Sequence, residues 1–335
     1  MRRLLILGLL LLLQFPAAAQ EKVRVGVSTT MSTAGIFIAH DRGYFAKQGL
    51  SVELVPFAGS GPEMLPALAG GQLDVGAGNL SARMYNAIVR GVALRIVADK
   101  GSNTPGSGYL ALVARKAVAA DIKGPADLKG RRVAVTGPGV SQEVVLDRYL
   151  RRGGLTVADV QLVFMSYQDA AAGLASGAID ATVQIEPLLS EGIARGDSVI
   201  IERAAKIYPN QQSAVIAFGE NFATNRRHVG ERFMVAYLQG VRDYHSVFIT
   251  KTARPALADE VARSIAKWTS MRNTALLRRA APVGLNLNGL LNVSSMIKDL
   301  SWYESRGYVK ERPPLDKFID HSFVQAALTK VGKMP

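Results

Sequence analysis

Hydroxyl and glycine residues, gathered just ahead of helix-like stretches, hold most of this sequence's capacity for chemistry. Ser28-Thr29-Thr30-Met31-Ser32-Thr33-Ala34-Gly35 follows an apolar strand pattern. Ala58-Gly59-Ser60-Gly61-Pro62 and Gly76-Ala77-Gly78-Asn79-Leu80-Ser81-Ala82-Arg83 follow two more. A second set reads Thr136-Gly137-Pro138-Gly139-Val140-Ser141, Ser166-Tyr167-Gln168-Asp169 and Gln184-Ile185-Glu186-Pro187. Free N–H groups and the positive dipole end of a helix suit an anion, and hydroxyls add donors. Taken singly, each Ser, Thr or Asn is an ordinary helix cap; recurrence at matched places makes them candidate walls of one cleft. Bond-making chemistry has no comparable pattern. There is no cysteine, P-loop, H-E-x-x-H or G-x-S-x-G, and the acids are unclustered. His40, His228, His245 and His321 lie far apart. Gly76-x-Gly78-x-x-Ser81, with Asp99 further on, approximates a dinucleotide fingerprint, but it lacks the third glycine and follows a third strand.

The elements that must position these loops occur twice. Gly49-Leu50-Ser51-Val52-Glu53-Leu54-Val55-Pro56-Phe57 resembles Gly154-Leu155-Thr156 with Val160-Gln161-Leu162-Val163-Phe164. Leu68-Ala69-Gly70-Gly71-Gln72-Leu73-Asp74-Val75 resembles Leu174-Ala175-Ser176-Gly177-Ala178-Ile179-Asp180-Ala181. A short apolar strand, Val23 to Val27 or Val133 to Thr136, precedes each copy. Strands alternating with helical patterns argue βαβ units, and two copies argue two α/β lobes with mainly parallel sheets. The matched Asp74 and Asp180 suggest a shared structural role at a strand start. Leu110–Arg115 and Ser213–Gly219 read as crossover strands. The tail reads as helices over Arg226–Ile249, Pro255–Ser270, Leu290–Arg306 and Asp316–Lys330, packed on the first lobe. The expected division is a signal peptide at 1–19, a discontinuous first lobe at 20–113 and 217–335, and a second lobe at 114–216.

Arg2-Arg3, the apolar run Leu4 to Leu13 and Ala17-Ala18-Ala19 form a secretory signal with cleavage after Ala19. The run is about half the roughly 20 residues a spanning helix needs. The full chain carries a net charge of +13, and removing Arg2 and Arg3 leaves +11. The basic residues are scattered, which excludes a nucleic-acid footprint and favours either solubility or anionic partners. A large core needs no disulfides, and the lack of cysteine removes thiol catalysis and a lipid-anchored N-terminus. A free periplasmic protein follows.

Asp41-Arg42-Gly43-Tyr44-Phe45 with Gly49-Leu50, Gly70-Gly71-Gln72-Leu73-Asp74-Val75-Gly76, Asp127-Leu128-Lys129-Gly130-Arg131-Arg132-Val133-Ala134-Val135 and Ile185-Glu186-Pro187 together resemble the taurine, alkanesulfonate, nitrate and thiamine-pyrimidine binding proteins of ABC importers. The resemblance runs to about residue 250. It implies a type II periplasmic-binding-protein fold closing as a hinged clamp, no catalytic residue, no cofactor or metal, a monomer, and an inner-membrane permease as partner. Ligand contacts are expected from Thr30, Ser32, Gly59, Ser60, Asn79, Ser81, Thr136, Gly139, Ser141 and Glu186. Arg83 is a candidate partner for a carboxylate or sulfonate; Tyr109 and Tyr167 are candidates for stacking or hydroxyl donation. Ile185 stands where the family usually has tryptophan, which removes an aromatic wall. The expected ligand is a small anionic organic molecule, a sulfonate or carboxylate. Glu186 keeps a pyrimidine-like heterocycle open. Ligand sensing for a signalling partner and an exported hydrolase also stay open.

Overall fold

A computed structural model describes residues 20–57 and 61–335. The signal peptide expected at 1–19, and Gly59 and Ser60, lie outside the described residues. The chain forms two five-stranded sheets of one design. The first has order β2-β1-β3-β10-β4, from β1 (Glu21–Ser28), β2 (Leu50–Phe57), β3 (Val75–Asn79), β4 (Leu94–Ser102) and β10 (Gln212–Gly219). The second has order β7-β6-β8-β5-β9, from β5 (Leu110–Arg115), β6 (Arg132–Val135), β7 (Gln161–Phe164), β8 (Ala181–Ile185) and β9 (Ser198–Arg203). In each sheet the first three strands pair in parallel, and the fourth in order runs against both neighbours. The sheets are therefore mixed, with one reversed strand each. That reversed strand comes from the other repeat's end: β5 follows β4 into the second sheet, and β10 follows β9 back into the first. This is the two-lobed type II periplasmic-binding-protein fold.

Central strands are buried on both faces, and their composition follows. Val23, Val25 and Val27 have no exposed surface. Gly76, Ala77 and Gly78 keep the middle of β3 small, and a Cβ on Gly76 would stand at ordinary contact distance, 3.4 Å, from Leu68 Cδ2. The matched aspartates fix strand starts as the repeat suggested. Asp74 Oδ2 accepts from Arg24 N (2.8 Å) while Asp74 N donates to Arg24 O. Asp180 Oδ2 accepts from Arg132 N (3.0 Å) while Asp180 N donates to Arg132 O. Each thereby locks its third strand to the first of its own sheet.

The tail is helical where expected in three segments: Arg227–Phe248, Pro255–Trp268 and Val293–Ser305. Two details differ. Asp316–Lys330 is two helices, Leu315–Phe318 and Ser322–Val331, because Ile319 bridges to Ile96 on β4 and Asp320 Oδ1 restarts the helix by accepting from Ser322 N (2.9 Å). An extra helix, Thr274–Arg279, is capped by Asn273 Oδ1, which accepts from Leu276 N (3.0 Å). Residues 280–289 then run beside β4, an edge strand, and take up its backbone groups: Ser102 N donates to Gly284 O (2.8 Å) and Asp99 N to Gly289 O (2.9 Å). Covering an edge this way removes a pairing liability. No helix among the described residues is long and apolar enough to cross a membrane.

The helix Ala34–Asp41, which carries the first loop, crosses Arg227–Phe248 at a glycine contact. A Cβ on Gly240 would lie 2.1 Å from Gly35 O and 3.0 Å from Ala39 N. Backbone leaves no room to give way, so Gly240→Ala is expected to destabilise by about 1–3 kcal/mol. Urea unfolding checks this; a midpoint at the parental value would show that the helices separate freely.

Candidate functional site

The first loop folds its hydroxyls into one cluster. Ser28 Oγ lies 3.2 Å from both Thr30 Oγ1 and Thr33 Oγ1, and Thr30 Oγ1 lies 3.0 Å from Ser32 Oγ. Thr33 Oγ1 donates back to Ser28 O (2.7 Å), anchoring the turn. Into this cluster reaches Lys100, from the carboxyl end of β4 and without exposed surface. Its Nζ donates to Ser28 Oγ (3.0 Å) and Ser32 Oγ (2.9 Å). An ammonium has three protons to donate; among the described residues it makes no salt bridge. Burial drives its pKa down to about 7, against the pull of Asp99 and Glu63. Asp99, next on the strand, serves structure: Gln212 Nε2 (2.6 Å), Gly101 N (3.1 Å) and Asn286 N (2.8 Å) all donate to it, and burial raises its pKa to about 6.

The other loops meet this cluster from both lobes. Ser81 Oγ caps the helix Ala82–Val89 by accepting from Met84 N (3.3 Å). Asn79 Nδ2 donates to the Tyr167 hydroxyl (3.2 Å) across the cleft. Tyr109 shares a short hydrogen bond with Ser213, and its carbonyl accepts from Glu186 N (2.8 Å). Thr136 N donates to Gln142 Oε1 (3.2 Å), and Ser141 Oγ donates to Ser213 O (3.3 Å). Two backbone pairings close the seam at repeat-related places. Met31 N, in the first loop of the first copy, donates to Glu186 O (3.1 Å) in the third loop of the second. Ala82 N, after the third loop of the first copy, donates to Gly139 O (2.7 Å) in the first loop of the second, and Ser141 N donates to Leu80 O (3.3 Å).

Thr30, Ser32, Asn79, Ser81, Tyr109, Gly139, Ser141, Tyr167 and Glu186 are thus all buried around one seam, with Thr136 half-buried beside them. Arg83 is not among them. It is exposed on its helix while Ala82 and Met84 turn inward, so the structure corrects its reading as the anion's partner. The periodicity explains this: with Ala82, Met84 and Tyr85 on the buried face, residue 83 faces solvent. Glu186 is present but already engaged. Its carboxylate accepts from Ser190 N (3.0 Å), Ser190 Oγ (2.8 Å) and Ala281 N (3.2 Å), so it caps the helix Leu188–Arg195 and ties it to the tail. Burial raises its pKa to about 7. Lys100 is the residue that sequence reasoning missed. Its signal was a charged side chain close behind the apolar run Ile96-Val97-Ala98.

A model of the NMT1-like family matches residues 16–262. A Brucella abortus protein named as a binding protein is 27% identical over 292 residues, 81% of each chain. A Haemophilus influenzae protein named for thiamine biosynthesis is 29% identical over 175 residues; the match spans 52% of each chain, about half the length of that relative. Among solved structures, the alkanesulfonate-binding protein of Xanthomonas axonopodis pv. citri, bound to MOPS, superposes with a TM-score of 0.72 at 18% identity, covering 91% of this chain and 99% of that one. A desulfurization enzyme shares the fold with a TM-score of 0.63 or below: its wild-type chain gives 0.62 at 15% identity, covering 93% of this chain and 99% of its own.

Gly139 combines φ +64° with a seam contact, since a Cβ there would lie 2.7 Å from Ala82 Cβ. Gly139→Ala therefore meets both a left-handed backbone, costing roughly 1–2 kcal/mol, and a steric block across the cleft. Small-angle scattering is expected to give a larger radius of gyration for this variant than for the parent. Identical curves would show that the seam tolerates the methyl group.

Proposed function

The chain belongs to the NMT1-like family, and we propose that it is the periplasmic solute-binding component of an ABC importer, taking a small organic anion between its lobes. The buried ammonium of Lys100, which makes no salt bridge among the described residues, carries this reading. Burying a cation that is bonded only to hydroxyls is unfavourable even with Asp99 and Glu63 nearby, and an anion in the same cleft would restore its charge. The hydroxyls of Ser28, Thr30 and Ser32 would share the head group with it. The named binding properties of the similar proteins, alkanesulfonate capture above all, support the same class. Delivery to an inner-membrane permease follows from the family reading, as does export by the N-terminal signal. The carboxylate of Glu186, engaged by Ser190 and Ala281, leaves little capacity for a heterocycle's N–H, which favours the anion over a pyrimidine. Binding and release involve no chemical step.

The proton linkage has a definite sign. The folded, ligand-free protein holds Lys100 at about pKa 7, below its ordinary 10.5. Its stability contribution is therefore lost as pH falls through that window. A bound anion favours the ammonium, so binding takes up a proton between pH 7 and 10.5 and affinity falls as pH rises there. Calorimetry with ethanesulfonate, benzoate and nitrate at about pH 8, in buffers of different ionisation enthalpy, is expected to report proton uptake for the member that binds. Lys100→Met is expected to weaken that ligand by at least about thirtyfold, roughly 2 kcal/mol, and to abolish the uptake. Thermal shifts confined to cationic compounds would overturn the anion reading.

A further inference from the structure

Behind the ligand loops, between the first-lobe helix Val293–Ser305 and the second-lobe helix Ser141–Arg151, lies a second buried polar cluster. Its centre is Asp299, without exposed surface. One carboxyl oxygen, Oδ2, accepts from Gln211 Nε2 (2.8 Å). The other, Oδ1, has no hydrogen-bond partner among the described residues, and neither do the hydroxyls of Tyr85, Tyr208 and Tyr303. The Tyr208 hydroxyl and the Arg148 charge both act on the carboxyl and favour its ionised form, against its burial. Arg148, on the opposite helix, stacks over the Tyr208 ring at 3.5 Å. The remaining acids of that helix are engaged elsewhere: Glu143 with the Tyr308 hydroxyl (2.8 Å) and Gly139 N (2.7 Å), Asp147 with Trp302 Nε1 (2.8 Å) and with Arg151.

Gln211 connects this cluster to everything that closure moves. The same Nε2 donates to Ser141 O (3.0 Å) at a ligand loop. Its Oε1 accepts from Asn103 Nδ2 (2.9 Å), and Asn103 N donates to Gln211 O (2.9 Å). Asn103 immediately follows β4 at one crossover, and Gln211 immediately precedes β10 at the other. One amide therefore touches both crossovers, a ligand loop and a buried acid.

We propose that Gln211 is the positioning residue that couples the crossovers to the ligand loops, and that the protonation of Asp299 gates it. The inference rests on the clamp reading above. When the lobes meet, Asp299 loses water and keeps Gln211 as its hydrogen-bonded partner, so desolvation favours the neutral acid in the closed form and outweighs the opposing pull of the Tyr208 hydroxyl and Arg148. The ionised form, left with an unsatisfied oxygen, is better served by an open, hydrated seam. Burial raises the Asp299 pKa to about 7 in the closed structure, against about 4 for a solvated aspartate. Closing therefore takes up a proton between those values, and the closed-to-open ratio falls as pH rises through them.

The absence of native cysteine makes a distance measurement direct. Spin labels at Ser51→Cys and Gln161→Cys, exposed on the outer strands of the two sheets, report the inter-lobe distance of the ligand-free protein. D299N imitates the neutral acid. It is expected to hold a closed-to-open ratio about tenfold above the parent's at about pH 5 and about a hundredfold or more above it at about pH 8, each tenfold corresponding to one unit of pKa. Gln211→Leu is expected to lower the closed fraction at the lower pH as well. A merely structural Asp299 would shift both pH values alike, and that result overturns the gate; an unchanged closed fraction in Gln211→Leu overturns the positioning role. Ethanesulfonate separates the two readings. If it shortens the distance while the parent and D299N profiles stay parallel, only the coupling fails. If neither pH nor any of ethanesulfonate, benzoate and nitrate changes the distance, the clamp itself fails.

Discussion

Each repeat gives its last strand to the other, and the rest of the molecule is arranged around that exchange. β5 leaves the first copy to lie between β8 and β9, and β10 leaves the second to lie between β3 and β4. Both exchanged strands are interior and buried, β10 at every residue, so neither lobe can complete its sheet alone. The exchange places both crossovers side by side, where Asn103 and Gln211 bond reciprocally. It also turns the carboxyl ends of β1, β3, β6 and β8 toward one another, because the two sheets meet mouth to mouth. In open α/β sheets those ends are where ligands bind. Here the same topology that joins the lobes also makes the cleft between them.

The seam is polar for a physical reason. Apolar faces of this size would fuse the lobes permanently, at roughly 25 cal/mol per Å² of buried apolar area. Backbone bonds such as Met31 N to Glu186 O and Ala82 N to Gly139 O exchange readily for bonds to water, so the net gain from each is small. What makes the closed state selective is then the charge it shuts in. Lys100, Glu186 and Asp299 are all buried on or near the seam, and burial moves each toward neutrality. A ligand that supplies a negative charge to Lys100 compensates one of those costs directly; a neutral molecule of the same size compensates none.

Much of this was legible in the sequence, and the parts that were not share a cause. The internal repeat exposed the strands and loops, and Asp74 and Asp180 fell into the same role because the same turn recurs. Arg227–Phe248 and Pro255–Trp268 followed from apolar spacing and a proline at the first turn. The break at Ile319 could not be read, because it depends on β4 offering Ile96 as a partner from far along the chain. Arg83 was misplaced for a local reason, since a loop-adjacent cation looks like a ligand contact until the helix phase is fixed. Lys100 was overlooked for a distant one. Its burial depends on β10 covering β4 and on residues 280–289 covering the outer edge, and neither is visible around residue 100.

That difference bears on how a site like this acquires specificity. Loop hydroxyls are set by local sequence and recur in both copies, and in the proposed site they would form a cradle for a small acceptor-rich head group. The charge proposed to discriminate, Lys100, comes from a strand whose environment exists only once the exchanged strand and the tail are in place. Of the β4 neighbours, Asp99 is fully engaged by Gln212, Gly101 and Asn286 and holds the tail, while Lys100 faces the hydroxyls; alternation along one strand divides structure from recognition. The consequence is that charge selectivity and folding are linked. A change that loosens the tail from β4 would admit water to Lys100 and flatten its preference for anions without touching a ligand-contacting loop.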